Sequence, residues 1–434
     1  MNNSLKKLTV IFYLSLLTLV PPFLYVSLAL SSMSWGILFG GVLITLMVRK
    51  LRIISTAKRV SKLLIIVLTL MLFHALISTL SSLSLKTLLS FVGLILLYVS
   101  ANSLSIYLQR VPAFLLKNSL IMFSGFICVF LILSLFFDIT IENYKSWPAN
   151  VFPFSEPSHY AISSIPFLFI SMWLLSTRLQ IIVVCLCGLG GVLLPSLLLL
   201  ISSLLLFFVL LFRNSSRFSL GLLVMIFLIV PYNWNAISNF NISYFTERID
   251  FYEGSNNLSA LVYMQGWERL ILALKTTYGM GVGLQNLSTV ELGYFGTILV
   301  EIIGVEKNVN DGSFIAAKLI AEFGIIGVFF VIIYLKLAYD SSIQLIRYER
   351  LRRKHIFLCD FNAPLFIFSH SVIVTYFFEL FIRGPGYYTT GTLLFFTGFF
   401  LINMNKTIPI LSRSGLHPVK YIFKKCTNGM SNTT

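Results

Sequence analysis

Apolar runs long enough to cross a bilayer follow one another along most of the chain, and the polar stretches between them stay short until residue 233. A hydrocarbon core of about 30 Å takes roughly 17–25 apolar residues as a helix. By that measure twelve spans are predicted, over 8–31, 35–49, 63–80, 87–108, 114–137, 160–177, 179–194, 196–212, 217–233, 314–337, 364–382 and 389–404. The expected fold is all-α, a polytopic bundle of about twelve transmembrane helices. It divides into spans 1–9 within 1–233, with an outer loop at 138–159, then a large polar loop over 234–313, spans 10–12 within 314–404, and a basic tail over 405–434.

Composition agrees, with 57% hydrophobic and 11% charged residues and a mean hydropathy of +0.89. Orientation follows from lysine and arginine, which are retained on the cytoplasmic side. With both termini inside, 24 of the 32 basic residues fall on the inner side, against only Asp340, Glu349 and Asp360 of the 16 acids. The net charge of +16 is then a matter of topology and anionic lipid head groups, and nucleic acid is not needed to explain it. Lys6 and Lys7 precede the first apolar run and no small-residue cleavage site follows it, which reads as a retained anchor. The five cysteines all fall in spans or on the inner side, so no disulfide framework is implied.

The outer loop 138–159 carries Trp147, Phe152 and Phe154 among prolines, suited to the head-group layer. It ends in Ser155-Glu156-Pro157-Ser158-His159. Ser155 or Glu156 could cap the next helix, and Glu156 with His159 could equally present an acid/base pair. Ser259 to Thr276 forms an amphipathic helix with Leu261, Val262, Leu270, Ile271 and Leu274 on one flank and Gln265, Glu268, Arg269 and Thr276 on the other. Gly279, Gly281 and Gly283 follow, able to bring backbone N–H groups close to a ligand. Residues 287–306 suggest a short interfacial helix. Asp311 or Ser313 would cap span 10, whose first turns carry Lys318, able to snorkel, and Glu322, which is too short to do so. Glu379 and Arg383 are four apart in span 11, the spacing of an intrahelical ion pair.

The outer surface thus offers Arg248, Arg269, Lys318 and Arg383 as cations and Glu156, His159, Glu268, Asp311 and Glu322 as possible bases. No GxxxxGK[ST], HExxH or Asp-x-Asp motif accompanies them, so neither a nucleotide site nor a metal site is expected. A lipid-linked pyrophosphate sugar fits this inventory. Its leaving group needs cations and no proton, while the incoming hydroxyl needs a base.

In order along residues 150–395, the segments FSEPSHYA, LLPSLLLL, ERIDF with NLSALVYMQGWE and GMGVG, NDGSF with KLIAEFGIIG, and FIRGPGYY resemble the Wzy-type O-antigen polymerases, relatives of the O-antigen ligases. The resemblance implies a GT-C-like, multi-pass inner-membrane glycosyltransferase without cofactor or metal. It would transfer a growing glycan from undecaprenyl pyrophosphate onto another lipid-linked repeat unit at the periplasmic face. It further implies that Arg248, Arg269 and Arg383 contact pyrophosphate or glycan, that Glu156 and His159 lie in the cavity, and that a flippase and a chain-length regulator are partners; Glu268, Lys318, Glu322 and Tyr387 are expected to bind substrate beside them. The ligases carry a histidine where this chain has Asn310-Asp311-Gly312. The base is therefore expected to be Asp311, with Glu156 or His159 as second choices, and polymerase is favoured over ligase or flippase.

Overall fold

The computed structural model describes residues 3–50, 62–82, 84–137, 150–213, 247–248, 257–306, 308–353 and 362–404. The regular structure among them is helical, with only an isolated bridge between Val151 and Phe154. In chain order the helices are α1 (Asn3–Thr18), α2 (Val20–Ser27), α3 (Ser34–Lys50), α4 (Lys62–Ser82), α5 (Leu85–Gln109), α6 (Ala113–Phe136), α7 (Pro157–Leu174), α8 (Thr177–Leu193) and α9 (Leu197–Arg213). They continue as α10 (Leu258–Thr276), α11 (Tyr294–Ile303), α12 (Ile315–Phe323), α13 (Ile325–Arg353), α14 (Ala363–Thr375), α15 (Phe377–Phe381) and α16 (Thr390–Met404). The predicted run 217–233, loop residues 138–149, 234–246 and 249–256, and the tail 405–434 lie outside the described residues.

Among the described residues, Leu85–Gln109, Ala113–Phe136, Ile325–Arg353 and Ala363–Phe381 are long and apolar enough to cross a membrane. A fifth is added if α1 and α2, bent by 44°, form one span. Large apolar side chains stand exposed on the bundle, including Leu80 at 64%, Phe136 at 76% and Phe208 at 65%. Water would penalise such a surface, whereas lipid matches it. The chain is an all-helical, membrane-embedded protein.

The core lies around α16, which is buried along nearly its whole length between α5 and α14. Phe395 stacks on Tyr376 at 4.7 Å. Hydroxyls tie the helices together: Ser124 donates to the Phe167 carbonyl at 3.0 Å and Tyr334 to the Ile373 carbonyl at 3.1 Å. Such bonds hold neighbours in register, at about 0.6 kcal/mol each. At the end predicted to be cytoplasmic, buried Glu349 gathers Arg352 at 2.9 Å, Arg213 at 3.6 Å and Arg353 at 3.7 Å.

Two predicted spans are broken, each for a local reason. The first bends where Pro21 and Pro22 remove N–H donors and crowd the preceding turn. The tenth, expected as one helix over 314–337, stops at Phe323 and restarts at Ile325, because Gly324 takes φ 57°, ψ −134°. Only glycine accepts that conformation readily.

Backbone groups released by such a break must find partners. Here the glycine-rich segment supplies them. Val282 N–H donates to the Ala321 carbonyl at 3.0 Å and Gly283 N–H to the Glu322 carbonyl at 2.9 Å, while Ile325 N–H returns to the Gly279 carbonyl at 3.0 Å. The N–H groups expected to approach a ligand are thus partly spent in sealing a helix end. A Cβ on Gly281, whose φ is +84°, would collide with Gly324 N and the Glu322 carbonyl. Gly281→Ala is therefore expected to destabilise by about 1–3 kcal/mol through strain and steric conflict. This reads as a lower unfolding midpoint of the detergent-solubilised protein. Gly125→Ala, where nothing lies within 4 Å of the added carbon, should leave the midpoint unchanged.

Candidate functional site

Pro157 starts α7 with a fixed φ and no N–H to satisfy, and Glu156 precedes it in extended conformation. Its side chain does not cap the helix, one of the two roles the sequence left open to it. Instead, Glu156 Oε2 accepts from Ser158 Oγ at 2.9 Å and from Arg383 Nη2 at 2.9 Å. Burial raises the Glu156 carboxyl, but Arg383, His159 and Ser158 outweigh it and hold the group below its usual range. His159 Nδ1 lies 3.3 Å from Ser155 Oγ. Burial and the nearby Arg383 push its imidazole down to about 4, against the opposing pull of Glu156, so it is neutral at physiological pH.

Arg383 therefore does not pair with Glu379. The helix ends at Phe381, and the polar segment that follows runs across the bundle. Gly384 N–H donates to the Ser313 carbonyl at 3.3 Å. Tyr387 Oη donates to Glu322 Oε2 at 2.8 Å, and Tyr388 Oη donates to the Ser90 carbonyl on α5. Glu379 is held by this segment's far end, where Thr389 Oγ1 donates to Oε2 and Gly391 N–H donates to Oε1 at 3.1 Å.

The second cluster is deeper. Lys318, 1% exposed, does not snorkel. Its Nζ lies 3.7 Å from Glu322 Oε1 and 5.1 Å from the centre of the Tyr387 ring, and donates to Gln285 Oε1 at 3.3 Å and to the Asn310 carbonyl. Lys86 reaches Asn310 Oδ1 from α5 at 2.5 Å. Gln285, Asn310 and Lys86 were not among the sequence candidates. Their partners are remote in the chain, which no local spacing reveals.

α10 exists where predicted and is capped by Asn257, whose side chain accepts from Ser259 and Ala260 N–H. Its buried flank differs from the expectation: Gln265 and Arg269 face inward, and Ile271 is 49% exposed. Arg269, 2% exposed, donates from Nη1 to the Val309 carbonyl at 2.7 Å and from Nη2 to the Val290 carbonyl at 3.3 Å. Burial lowers its pKa while Glu306 and Glu268 raise it. Glu268 Oε2 accepts from Phe295 N–H at 3.0 Å, stabilising the N-terminus of α11. This helix spans only Tyr294–Ile303 of the predicted 287–306, after a 3-10 turn over Leu287–Thr289.

Asp311 and Ser313 do not cap α12 either; Phe314 occupies that position, and Ser313 Oγ donates to the Val262 carbonyl. Asp311 is exposed and lies beside the polar segment at Gly386. Arg248 is half-buried.

Between the first turns of α7, the bend at Pro21–Pro22, the turn at Ser32–Ser34 and the polar segment lies a small cavity of about 50 Å³, open at its mouth. His159, Glu379, Pro385, Tyr388, Thr389 and Thr390 line it. The folding thus brings His159 and Glu379 to one cavity, pairs Arg383 with Glu156 at the start of the same helix as His159, and gathers Lys318, Glu322 and Tyr387 in a separate cluster, while Glu268 and Arg269 brace the loop structure. Glu379 was missed as a site residue because its spacing to Arg383 supplied a ready explanation. Among the described residues, no three His, Cys, Asp or Glu side chains converge as a metal site would need. No family model, characterised protein or solved structure matches the chain.

The contrast between the two arginines is testable. Arg269→Ala removes two buried charge-assisted hydrogen bonds of about 1.5–3 kcal/mol each and should lower the unfolding midpoint clearly. Arg383→Ala, whose side chain is 43% exposed, should change it little, since a pair so open to solvent contributes weakly. Thermal unfolding of both purified variants provides the measurement.

Proposed function

We propose that the chain is a membrane glycosyltransferase that polymerises undecaprenyl-pyrophosphate-linked repeat units into O-antigen or a related surface polysaccharide. It works on the periplasmic face of a bacterial inner membrane, as a bundle of about twelve spans with a large outer loop between the ninth and tenth. The observation that carries the reading is Arg383, a half-exposed guanidinium paired with Glu156 three residues before His159, which lines a cavity together with the carboxylate of Glu379 and the hydroxyls of Thr389 and Thr390. A planar fork of donors matches a pyrophosphate leaving group, and small hydroxyls with aromatic and proline faces suit a sugar.

In this reading Arg383 holds the donor pyrophosphate, exchanging Glu156 for phosphate oxygens. His159, being neutral, can exchange hydrogen bonds with glycan hydroxyls without a desolvated charge. Lys318, Glu322 and Tyr387 hold the polar segment in place, and Glu268 and Arg269 hold the outer loops. Asp311, exposed beside Gly386, remains within the proposed acceptor region together with Glu156. The partners are the donor and acceptor glycolipids, the flippase that delivers them and a regulator of chain length.

A second reading, the flippase itself, has one observation in its favour: a discontinuous helix bearing a buried ion pair, a device of transporters. Deleting the gene and resolving the surface polysaccharide on a gel separates the readings. Loss of the ladder with a single repeat unit still on the core is expected of a polymerase. Loss of every repeat points to flippase or ligase, and an unchanged pattern overturns all three.

Two further outcomes are expected. Arg383→Ala should abolish the ladder at normal protein level, and Arg383→Lys should restore it only in part, because an ammonium lacks the bidentate fork. In a cysteine-free background, Lys275→Cys at an exposed position of α10 should react with an impermeant thiol reagent from the periplasmic side. Labelling only after the inner membrane is opened would reverse the proposed orientation.

A further inference from the structure

We propose that Glu379 is the base that takes the proton from the acceptor hydroxyl, with the acceptor's terminal sugar lying in the cavity between Pro21–Pro22 and the segment 385–390. This assignment rests on the polymerase reading and adds to it a residue that the sequence had explained away as a partner of Arg383.

The carboxylates of the region differ in what already occupies them. Glu156 is engaged by Arg383 and Ser158, Glu322 by Lys318 and Tyr387, and Asp311 stands in the open. Glu379 is 2% exposed and lines the cavity, yet among the described residues no cation pairs with it. Its donors are neutral: the Thr389 hydroxyl on Oε2, the Gly391 N–H on Oε1, and the Thr392 N–H beside them. A carboxylate has about four acceptor positions. Three are used to fix its orientation, and one remains for a hydroxyl donated from the cavity. A carboxylate buried in this way is costly to keep without a cation unless it serves a site. Gly391 is part of the arrangement, since a Cβ there would collide with the carboxylate.

In the reaction, the acceptor hydroxyl oxygen forms a bond to the anomeric carbon of the donor as its proton passes to Glu379. The bond from that carbon to the pyrophosphate oxygen breaks, and undecaprenyl pyrophosphate leaves with the electron pair, its charge met by Arg383. Glu379 then releases its proton to water, so no metal, oxidant or further co-reactant enters the balance.

The test uses the full chain, purified and reconstituted in lipid vesicles, with the lipid-linked repeat units that accumulate in the deletion strain as substrate. General-base catalysis is worth about 10²–10⁴-fold. Glu379→Gln keeps the size of the side chain and its acceptor oxygen, and should lower polymer formation by at least about 100-fold with an unchanged unfolding midpoint. Formate should restore part of the activity of Glu379→Ala, which a purely structural role would not allow. If the position 379 variants fail to fold, Ser163→Phe narrows the cavity from α7 and should abolish polymerisation without altering the carboxylate. Normal polymerisation by Glu379→Gln, or by Ser163→Phe, overturns the assignment while leaving the polymerase reading intact. Wild-type protein that makes no polymer from these units overturns the reading itself, and the assignment with it.

Discussion

Inside a membrane, a polypeptide cannot leave backbone N–H and C=O groups without partners, and the break at Gly324 would release several of them. Segment 279–283 satisfies them by lying against the helix end so closely that a side chain at Gly281 or Gly324 has no room. That contact fixes α12 as a separate short helix. It also fixes the depth of Lys318 and Glu322, one turn apart on α12, and so the place where the Tyr387 hydroxyl finds its acceptor. From a backbone requirement, the position of the polar segment follows.

Segment 383–389 then works as a strut whose residues bond to different parts of the bundle: Arg383 to the start of α7, Gly384 to Ser313, Tyr387 to α12, Tyr388 to α5 and Thr389 to α15. Its energetics are asymmetric. A buried ion pair such as Lys318–Glu322 adds little net stability over an apolar pair, but losing one member leaves a bare charge at a cost of about 3–5 kcal/mol. The solvent-open Arg383–Glu156 pair carries no such penalty. It can therefore open at little cost, while the deeper pair stays closed and keeps the strut in place.

The apolar runs were legible in the sequence because lipid exposure leaves a composition signal that needs no tertiary knowledge; α5, α6 and α14 with α15 follow it closely, whereas α13 starts within the tenth run and continues past its end to Arg353. Interruptions were less legible. Gly324 sits in an apolar context where glycine is common, and only its remote partner at 279–283 makes the break tolerable. Arg269 was read as a ligand contact on the polar flank of its helix, yet two carbonyls of a distant loop hold it buried. Glu379 failed differently: the spacing to Arg383 is right for a helix, but the helix ends between them. Local periodicity describes one element at a time, whereas each of these residues is placed by another.

The same contacts bear on whether the broken helix transports or builds a site. In transporters with discontinuous helices, carbonyls freed at the break coordinate the travelling ion. Here the Ala321 and Glu322 carbonyls already accept from Val282 and Gly283, and the Lys318 ammonium meets Glu322, Gln285 and Asn310. A coordination site at the break would require these bonds to be exchanged in every cycle. Carbonyl groups committed to a neighbouring backbone make a rigid joint, and a rigid joint beneath Tyr387 is what a preorganised cavity requires. The polar groups left with spare capacity are the half-exposed Arg383 and Glu379 at the cavity wall, away from the break, where the proposed reaction would place its ligand. This distribution weighs toward bond formation at a fixed site and away from passage through the break.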